Sequence, residues 1–376
     1  MPELEKYYVL DLWRVPRELL ASKLPVSESD PDETRRKLED EANELLLREY
    51  VVAHEGPFPD DALTEKASIS AGEQALVLFA LLVTLGGPLF WFTLGLVFAI
   101  GATWQTFGFY VLATLVLAMH PLPSSVPALW TSKLINAMYK YFSYRFVWKG
   151  NTRQVLRAES QYLGSGVPHG VMPFANLLAI PATNSVLYRG CNFWGAPASV
   201  VYRTPFLRYL WMLQCCDVGR ESIVRELAKG HSVGLVGDGI AGIFQSNHED
   251  EVVALKNRKG LAKLALRTGT SVLPCYSLGN TAAFSAWFDR FGIMEWLSRK
   301  AQASIFLYWG RFGLPIPHRV NITMIVGDLI KVDKATEQPT TAQVDALHEE
   351  ILAGFQTAFD SHKSALGWGA RKLRFV

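Results

Sequence analysis

The chain has 376 residues, 49% hydrophobic and 12% aromatic, which is enough for a large core and excludes a peptide, a fibrous chain and a disordered chain. Its 37 basic and 35 acidic residues leave a net charge of +2, so composition gives no general basis for nucleic-acid binding. Four cysteines without metal-ligand spacing indicate a reducing compartment and predict neither a disulfide scaffold nor a metal site.

The first part of the chain is acidic. Residues 1–72 carry 9 Lys/Arg against 17 Asp/Glu, whereas the rest of the chain carries 28 against 18. A helix is predicted over 32–50 because apolar residues recur on one side of it: Leu38, Ala42, Leu45 and Leu46. We interpret residues 1–72 as an acidic, partly ordered cytosolic arm, which is either a regulatory or docking segment or a dispensable tail.

A long uncharged segment comes next. Residues 73–132 contain no Asp, Glu, Lys or Arg after the first residue, and 75–119 are almost wholly apolar. As helix, this apolar stretch would measure about 68 Å, close to two crossings of a hydrocarbon core about 30 Å thick. We expect the chain to reverse at 101–106, with Pro88 as a kink. Residues 73–132 are therefore predicted to be a transmembrane helical hairpin; a buried core hairpin is the alternative.

The flank after this segment is basic, with Lys133, Lys140, Arg145, Lys149, Arg153 and Arg157. The positive-inside rule places such a flank in the cytosol. Because a hairpin returns the chain to its starting side, both termini are expected to face the cytosol. The start of the chain has no basic n-region followed by an apolar h-region, so a signal peptide is not predicted.

Residues 133–376 form the third predicted unit, in which short β-branched runs alternate with helical stretches. Strands are expected at Ala196–Tyr202, 232–236, 271–279 and 320–327, and helices at about 221–229, 259–267 and 342–362. The last helix should pack through Val344, Leu347, Ile351, Phe355 and Phe359. This alternation predicts an α/β fold with a mixed, mostly parallel sheet flanked by helices.

One motif indicates a serine hydrolase. Gly230-His231-Ser232-Val233-Gly234 matches the G-x-S-x-G nucleophile elbow of esterases and lipases, with Ser232 as nucleophile. An elbow needs a strand before the serine and a helix after it, whereas the predicted order here is the reverse. A helix end at Gly230 followed by a strand explains the same residues. A lipase or esterase that uses Ser232 is kept as an alternative function.

A glycine-rich loop, 237–242, follows the strand predicted at 232–236. It has the G-x-G-x-x-G spacing, but no acidic residue lies about 20 positions further on and no Walker lysine follows, so a dinucleotide site is not predicted. A loop at the carboxyl end of a strand tends to line the cleft of an α/β fold. The acidic run at 248–251 is interpreted as a solvated turn rather than a metal site.

A third motif places a histidine between two restricting neighbours. In Val167-Pro168-His169-Gly170, Pro168 restricts the residue before it, and Gly170 lets other groups approach closely. A histidine held in one orientation beside an open space is suited to act as a general base. The alternative is a core histidine whose hydrogen bonds are satisfied.

Taken together, these motifs resemble those of the diacylglycerol acyltransferase type 2 family, which includes monoacylglycerol and wax-alcohol acyltransferases. The similar segments occur in the family's order over about 240 residues from Met138 to the end. They are 139–142, Pro168-His169-Gly170, 205–227, 237–242, 257–266 with 272–280, and the stretch from Gly310 onward.

The resemblance implies an acyl-CoA-dependent O-acyltransferase that makes triacylglycerol from diacylglycerol, with acyl-CoA as co-substrate and no cofactor. It also implies a glycerolipid acyltransferase-like fold with a membrane hairpin, located at the cytosolic face of the endoplasmic reticulum or on lipid droplets. Monoacylglycerol or a long-chain alcohol as acceptor, an inactive lipid-binding scaffold and a homo-oligomer all remain compatible with it.

By the same resemblance, His169 matches the family's catalytic histidine, which would take the proton of the acceptor hydroxyl. Backbone amides near Gly237 and Gly239, or near Gly170, are candidate donors to the oxyanion. The chain departs from the family pattern at Ser143, Val167, Gly242 and Asn280, where the family has proline, histidine and two acidic residues. Asp238 on the same loop is the candidate acidic partner of His169, with a turn-forming role as the alternative.

Basic residues recur every four positions on the predicted helix that starts near Arg258: Lys259, Lys263 and Arg267. They would form one stripe on the helix surface. Because the thioester donor carries several phosphates, we assign Arg258 and this stripe to acyl-CoA binding, with an ordinary solvated face as the alternative.

Overall fold

The structure is a computed structural model that describes residues 5–17, 44, 48–159, 161–187, 192–246, 249–301 and 306–376. Most of the helix predicted over 32–50 lies outside these residues.

The described residues form short strands and helices that alternate over most of the body. The strands are β1 (Lys6–Asp11), β2 (Val51–Glu55), β3 (Arg145–Lys149), β4 (Leu163–Val167), β5 (Phe193–Gly195), β6 (Ser232–Leu235), β7 (Glu251–Val253), β8 (Val272–Leu278), β9 (Ser285–Trp287), β10 (Leu307–Trp309), β11 (Thr323–Val326) and β12 (Leu373–Phe375). The helices are α1 (Ala71–Gly101), α2 (Trp104–Met119), α3 (Pro127–Trp130), α4 (Lys133–Tyr141), α5 (Thr152–Glu159), α6 (Phe174–Ala182), α7 (Ser199–Arg203), α8 (Arg220–Ala228), α9 (Gly239–Phe244), α10 (Gly260–Thr268), α11 (Ile293–Ala301) and α12 (Thr341–Asp360).

The main sheet has eight strands in the order β2-β1-β3-β11-β8-β4-β6-β5. The four strands β8, β4, β6 and β5 run parallel to one another, and β3 runs parallel to β11. The pairs β1–β2, β1–β3 and β8–β11 are antiparallel. The predicted α/β fold with a mixed sheet is confirmed, and one end of the sheet consists of the four parallel strands β8, β4, β6 and β5.

Apolar side chains cover both faces of this sheet. One face packs against α6, the base of α1 and α4, and the other packs against α8, α10 and α12. The predicted strands at 232–236, 271–279 and 320–327 and the predicted helices of the body are confirmed, because each overlaps a strand or helix of the structure. All five α12 residues that were predicted to pack are buried: Val344, Leu347, Ile351, Phe355 and Phe359.

The strand predicted at Ala196–Tyr202 is wrong. Pairing with β6 ends at Gly195, two residues before Pro197, which has no N–H to continue the ladder. The chain then turns and forms the short helix α7. The apolar residues of this run therefore face a cavity from a loop and a helix instead of from a strand.

The uncharged segment forms two helices that pack against each other. α1 is continuous through a π-helical turn at Leu82–Gly86, and Pro88 follows that turn. The chain reverses at Ala102 and Thr103, within the predicted 101–106, and α2 then runs for 16 residues. Trp91 links the helices, since its Nε1 donates to Thr114 Oγ1 (2.9 Å) and its carbonyl accepts from the Tyr110 hydroxyl (2.9 Å).

Both ends of this helix pair are joined to the body. At the start of α1, Ser70 and Glu73 form a capping box, and Lys140 of α4 donates to the Glu73 carboxylate. At the end of α2, the fully buried guanidinium of Arg208 donates to the carbonyls of Leu117 and His120, both at 2.7 Å. A cation at a helix carboxyl end is favourable because the last carbonyls carry partial negative charge.

Candidate active site

Three neighbouring parallel strands bring three polar residues together. β6, β4 and β8 lie side by side in that order and run the same way, so their carboxyl ends meet at one edge of the sheet. His169 follows β4, Asp238 follows β6 and Asn280 follows β8. In open α/β sheets this edge is where ligands bind.

The backbone of His169 is fixed from both sides. Its N–H donates to Asp238 Oδ2 at 3.1 Å, and its carbonyl accepts from Asn280 Nδ2 at 2.8 Å. Asn280 also donates to the Met172 carbonyl and accepts from the Ala175 N–H. The histidine is therefore positioned by side chains from the two strands on either side of β4.

The imidazole of His169 has one defined tautomer. Nδ1 lies 2.8 Å from the Gly170 carbonyl oxygen, and because a carbonyl can only accept, Nδ1 carries the proton. Nε2 is then left with its lone pair. Burial lowers the pKa of His169, although the Gly170 carbonyl partly offsets this. The ring is thus neutral at physiological pH and ready to accept a proton at Nε2.

The glycine after the histidine is required by this geometry. Gly170 has φ of 61°, in the left-handed region, and a Cβ built there would lie 3.0 Å from Asn280 Nδ2. A side chain at this position would strain the turn and press on the amide that holds His169. Pro168 is buried between β4 and this turn and makes no contact with the imidazole nitrogens in the described residues.

Asp238 contacts the backbone of His169 and not its ring. Its carboxylate is fully buried, which raises the pKa of Asp238 to about 7, while the hydrogen bond from the His169 N–H acts in the opposite direction. A Cβ at Gly242 would lie 2.0 Å from Asp238 Oδ2, so the absence of a side chain there makes room for this carboxylate. Asp238 thus lies beside His169 and holds its backbone, and its role as the acidic partner of the imidazole stays a prediction.

The two other predicted glycines of this loop serve different purposes. A Cβ at Gly237 would lie 3.1 Å from Ser165 Oγ, so this glycine allows the loop to approach β4. Gly239 has φ of 48° and begins α9, whose first residues face the cavity next to His169. As predicted, the glycine-rich loop lines the cleft.

His169 opens on a large apolar cavity of about 580 Å³. Among the residues that the structure describes, no Asp, Glu, Lys or Arg lines it. One side of its wall is the face of the sheet that carries Phe146, Leu273 and Met324, and the opposite side is α6. Leu85, Pro88 and Leu89 of α1 also line the cavity, which therefore extends from His169 to the apolar helix pair.

Comparison with known proteins decides the family. A family model described as diacylglycerol acyltransferase matches residues 96–374, about three quarters of the chain. The chain belongs to the diacylglycerol acyltransferase family. The match includes β3 to β11 and the residues that hold His169, among them Gly170, Asp238 and Asn280.

Curated relatives carry the same activity in their names. The chain is 30% identical over 250 residues to diacylglycerol O-acyltransferase 2 of Mus musculus, covering 61% of this chain and 64% of the relative. It is 28% identical over 240 residues to diacylglycerol O-acyltransferase 1 of Eremothecium gossypii, covering 57% of this chain and 50% of that protein. The chain thus spans between half and two thirds of the length of these relatives.

The basic residues assigned to acyl-CoA do not form one continuous site. Arg258 lies beside the glycine-rich loop, where its Nη1 donates to the Asp238 carbonyl at 3.2 Å. Lys259 is paired with Asp345 of α12 at 2.7 Å. Lys263 is exposed and Arg267 half-buried further along α10, and none of the four lines the cavity. Arg258 thus bonds the loop whose Asp238 side chain holds the His169 backbone.

Ser232 cannot act as the nucleophile of a hydrolase in this structure. Its side chain is fully buried at the start of β6, where Oγ accepts from the Tyr162 N–H at 3.2 Å. The adjacent His231 pairs with Glu226 through Nδ1 at 2.9 Å. The helix α8 precedes the serine and a strand follows it, the reverse of an elbow. The serine lipase alternative is therefore wrong.

Two residues of the site region were not predicted. Asn280 was noted only as a departure from the family pattern, and its position just after a predicted strand was the available signal. Glu251 was placed in a solvated turn, which is wrong: it is buried in β7 and accepts from the Tyr276 and Thr281 hydroxyls at 2.9 and 2.7 Å. Because Thr281 adjoins Asn280, this buried carboxylate supports the loop that holds His169.

Proposed function

We propose that the protein is an acyl-CoA-dependent O-acyltransferase that transfers a fatty-acyl group to the hydroxyl of diacylglycerol, producing triacylglycerol. The observation that carries this proposal is the free Nε2 of His169 at the end of an apolar cavity without charged walls. Membership of the family and the names of the relatives agree with it. Neither substrate would leave a charge inside the cavity, since the acyl chains and the glycerol ester groups are neutral.

In the proposed reaction, Nε2 of His169 takes the proton of the acceptor hydroxyl while its oxygen attacks the thioester carbonyl. A C–O bond forms and a tetrahedral oxyanion results, for which backbone N–H groups near Gly239 and Gly170 are the candidate donors. Collapse of this intermediate breaks the C–S bond. The imidazolium returns its proton to the leaving thiolate, so free coenzyme A and the ester are formed and the histidine is regenerated.

Membrane association is part of the proposal, and the topology of the sheet supports it. β1 and β2 precede the α1–α2 pair and β3 follows it, yet all three strands pair in one sheet. The two ends of the helix pair therefore lie on the same side. The exposed parts, Gly87–Gly101 and α2, each rise about 23 Å against about 30 Å for the hydrocarbon core, which favours a hairpin that enters the membrane and returns.

A surface apart from the α1–α2 pair also supports placement at a membrane. We call it the aromatic surface; it consists of Trp287, Phe291, Ile293, Trp296, Leu307 and Phe312. Phe291 is 86% exposed, Phe312 75% and Trp296 58%. Arg290, Arg299, Lys300 and Arg311 lie among them in sequence, a combination that suits the level of lipid headgroups. We place the protein at the cytosolic face of the endoplasmic reticulum membrane or on lipid droplets.

For the donor headgroup, we propose that Arg258 and Lys263 bind phosphates of acyl-CoA, with Lys259 and Arg267 as secondary contacts. Arg258 is next to the loop that holds His169, and Lys263 is exposed. We expect Arg258→Ala with Lys263→Ala to raise the Michaelis constant for acyl-CoA about tenfold and leave that for diacylglycerol unchanged. The control is Lys331→Ala, an exposed lysine after β11, and equal constants in the double variant and the control would contradict the assignment.

The decisive experiment compares wild type, His169→Ala and Ser232→Ala in membranes supplied with labelled acyl-CoA and diacylglycerol. Loss of triacylglycerol only in His169→Ala supports the proposal. No product from any form would identify a lipid-binding scaffold and overturn it. Monoacylglycerol and a long-chain alcohol are supplied in parallel, because a marked preference for either one would replace diacylglycerol as the acceptor.

A further inference from the structure

Glycines form part of the cavity floor. On β4, β6 and β5, three glycines lie side by side in the strand register, since Gly164 pairs with Gly234 and Gly234 pairs with Gly195. All three line the cavity. On the neighbouring strands the same face carries large side chains, Leu273, Met324 and Phe146. The missing side chains leave room over these strands that other side chains occupy; a Cβ at Gly195 would already lie 2.4 Å from Ile180 Cδ1. We call the part of the cavity that runs along β4, from His169 back to Gly164, the furrow.

The ring of Phe193 lies over two of these glycines. A Cβ at Gly234 would be 2.3 Å from Phe193 Cζ, and one at Gly164 would be 3.5 Å from Phe193 Cε2. The ring thus covers both glycines and itself lines the cavity. Phe193 pairs with Ser232, the first residue of β6, whereas His169 follows the last residue of β4. Because these strands are parallel, Phe193 lies at the opposite end of the furrow from the base.

The position of Phe193 is fixed by its backbone. Its N–H donates to Asn184 Oδ1 at 2.9 Å, and its carbonyl accepts from Asn184 Nδ2 at 2.8 Å and from Gln214 Nε2 at 3.1 Å. Asn184 and Gln214 are both buried. The ring of Tyr162 is its neighbour, with the two ring centroids 6.1 Å apart. A ligand that reaches Phe193 from the His169 side therefore meets a ring carried by a fixed backbone segment.

We infer that this furrow is the binding site of the fatty-acyl chain of the donor thioester, and that Phe193 closes its inner end and so limits chain length. The inference rests on the proposed function. It assigns the furrow to the donor because the proposed function puts the thioester carbonyl at Nε2 of His169 and the coenzyme at Arg258, which bonds the loop beside His169. The chain attached to that carbonyl then extends along β4 toward Phe193.

Two substitutions should shift the chain-length preference in opposite directions. Phe193→Ala opens the inner end of the furrow to longer chains. Each buried methylene is worth about fourfold in binding, so burial of even two of the four additional methylenes of C20 should raise the ratio of C20 to C16 turnover by about tenfold or more. Gly234→Ala adds a methyl group that pushes the ring toward the cavity, so the ratio of C12 to C16 turnover should rise. The control is Gly72→Ala, an exposed glycine outside the cavity with nothing within 4 Å of its Cβ.

The experiment measures kcat/KM for acyl-CoA donors from C12 to C20 with one acceptor, then for acceptors of different chain length with one donor. The double variant Phe193→Ala with Gly234→Ala should regain long donors, because the added methyl group no longer meets a ring. Unchanged donor ratios in a folded Phe193→Ala protein would overturn the inference, as would a shift in acceptor preference instead. Phe193→Leu provides a milder change if the alanine variant does not fold.

Failure of the proposed function is distinguishable from failure of this inference. If the wild type transfers no acyl group to any acceptor, the function is refuted, but the chain site can still be measured with non-reactive thioether analogues of acyl-CoA. In that assay, the chain length that gives the largest rise in melting temperature should be longer for Phe193→Ala than for the wild type. The same optimum in both proteins would overturn the inference on its own.

Discussion

His169 combines three conditions that a general base needs: a fixed ring, a free lone pair and a lowered pKa. We expect His169→Ala to lower kcat by about a hundredfold to ten-thousandfold with an intact fold, as checked by melting temperature. For the wild type, kcat/KM should be flat near neutrality and fall with acidification only below the ordinary histidine pKa of about 6.5, because the ring must be neutral to act. A fall that begins well above pH 7 would contradict this assignment.

Substitutions at Asp238 distinguish a role in positioning His169 from a role in proton transfer. An asparagine keeps an oxygen that can accept from the His169 N–H, whereas alanine leaves that buried N–H without a partner at a cost of about 1–3 kcal/mol. We expect Asp238→Asn to retain most of the activity and Asp238→Ala to lose about tenfold to a hundredfold. If Asp238→Asn is as inactive as His169→Ala, the carboxylate takes part in proton transfer.

The same residue predicts a pH dependence of stability. Burial raises the pKa of Asp238 to about 7, so between about pH 4 and pH 7 the folded chain holds a proton that the unfolded chain has lost. The resulting stabilisation is complete below about pH 4 and is lost as the pH rises through 7. Melting curves of Asp238→Asn should therefore decline less between pH 5 and 7.5 than those of the wild type, and parallel declines would show that this carboxyl does not titrate in that range.

At the scale of one element, α2 depends on an arginine outside it. Arg208 is fully buried and donates to two carbonyls at the carboxyl end of the helix. Arg208→Ala should lower the free energy of unfolding by about 2–4 kcal/mol, because it removes these bonds and leaves a cavity. The measurement is thermal unfolding in detergent. Arg203→Ala, an exposed arginine on α7, is the control and should change stability little.

Elements with a strong local pattern were predictable from sequence, and those defined by pairing were not. β6, β8 and β11 are short β-branched runs between glycines, and α12 repeats apolar residues at helical spacing, so local sequence was sufficient. β1 and β2 lie in the acidic arm and form strands because they pair with each other and with β3. The run from Ala196 does not extend β5, because pairing with β6 ends at Gly195 and Pro197 has no N–H to continue it.

The candidate site likewise has features that local sequence predicts and features that depend on strand pairing. His169, Gly170 and the 237–242 loop are local motifs, and their meeting at one edge follows from parallel strands. The contact of Asp238 with a backbone N–H, and the ring of Phe193 over glycines from two other strands, depend on register that no local pattern contains. Local sequence therefore indicated His169, Gly170 and the loop as candidates, whereas Asn280 and the contacts among these residues became visible only in the structure.

On the scale of the whole molecule, the aromatic surface and α1 form one apolar side. The Tyr308 hydroxyl lies 3.5 Å from the Leu85 carbonyl, and Phe284, Phe306 and Tyr308 line the cavity beside α1. A lipid could thus pass from the bilayer to His169 without crossing water. This arrangement requires the aromatic surface to contact lipid.

Brominated lipids quench tryptophan that touches the acyl region, which provides the test. In vesicles of brominated phosphatidylcholine, we expect Trp296→Phe to lower the quenched fraction of the emission. Trp368→Phe, a half-buried tryptophan stacked on Arg371, is the control and should raise that fraction, because it removes emission that lipid does not reach. If Trp296→Phe leaves the fraction unchanged or raises it, the aromatic surface faces water.

The pairing of β1 with β3 also has a consequence for biosynthesis. Tyr7 lies opposite Lys149, so the first strand to leave the ribosome waits for a partner that emerges only after the whole apolar hairpin. If the helix pair enters the bilayer as proposed, a nascent chain whose second helix did not return would hold these two strands on opposite sides and leave β3 with an unpaired edge, which favours aggregation. Closure of the main sheet therefore requires that the helix pair has returned to its starting side.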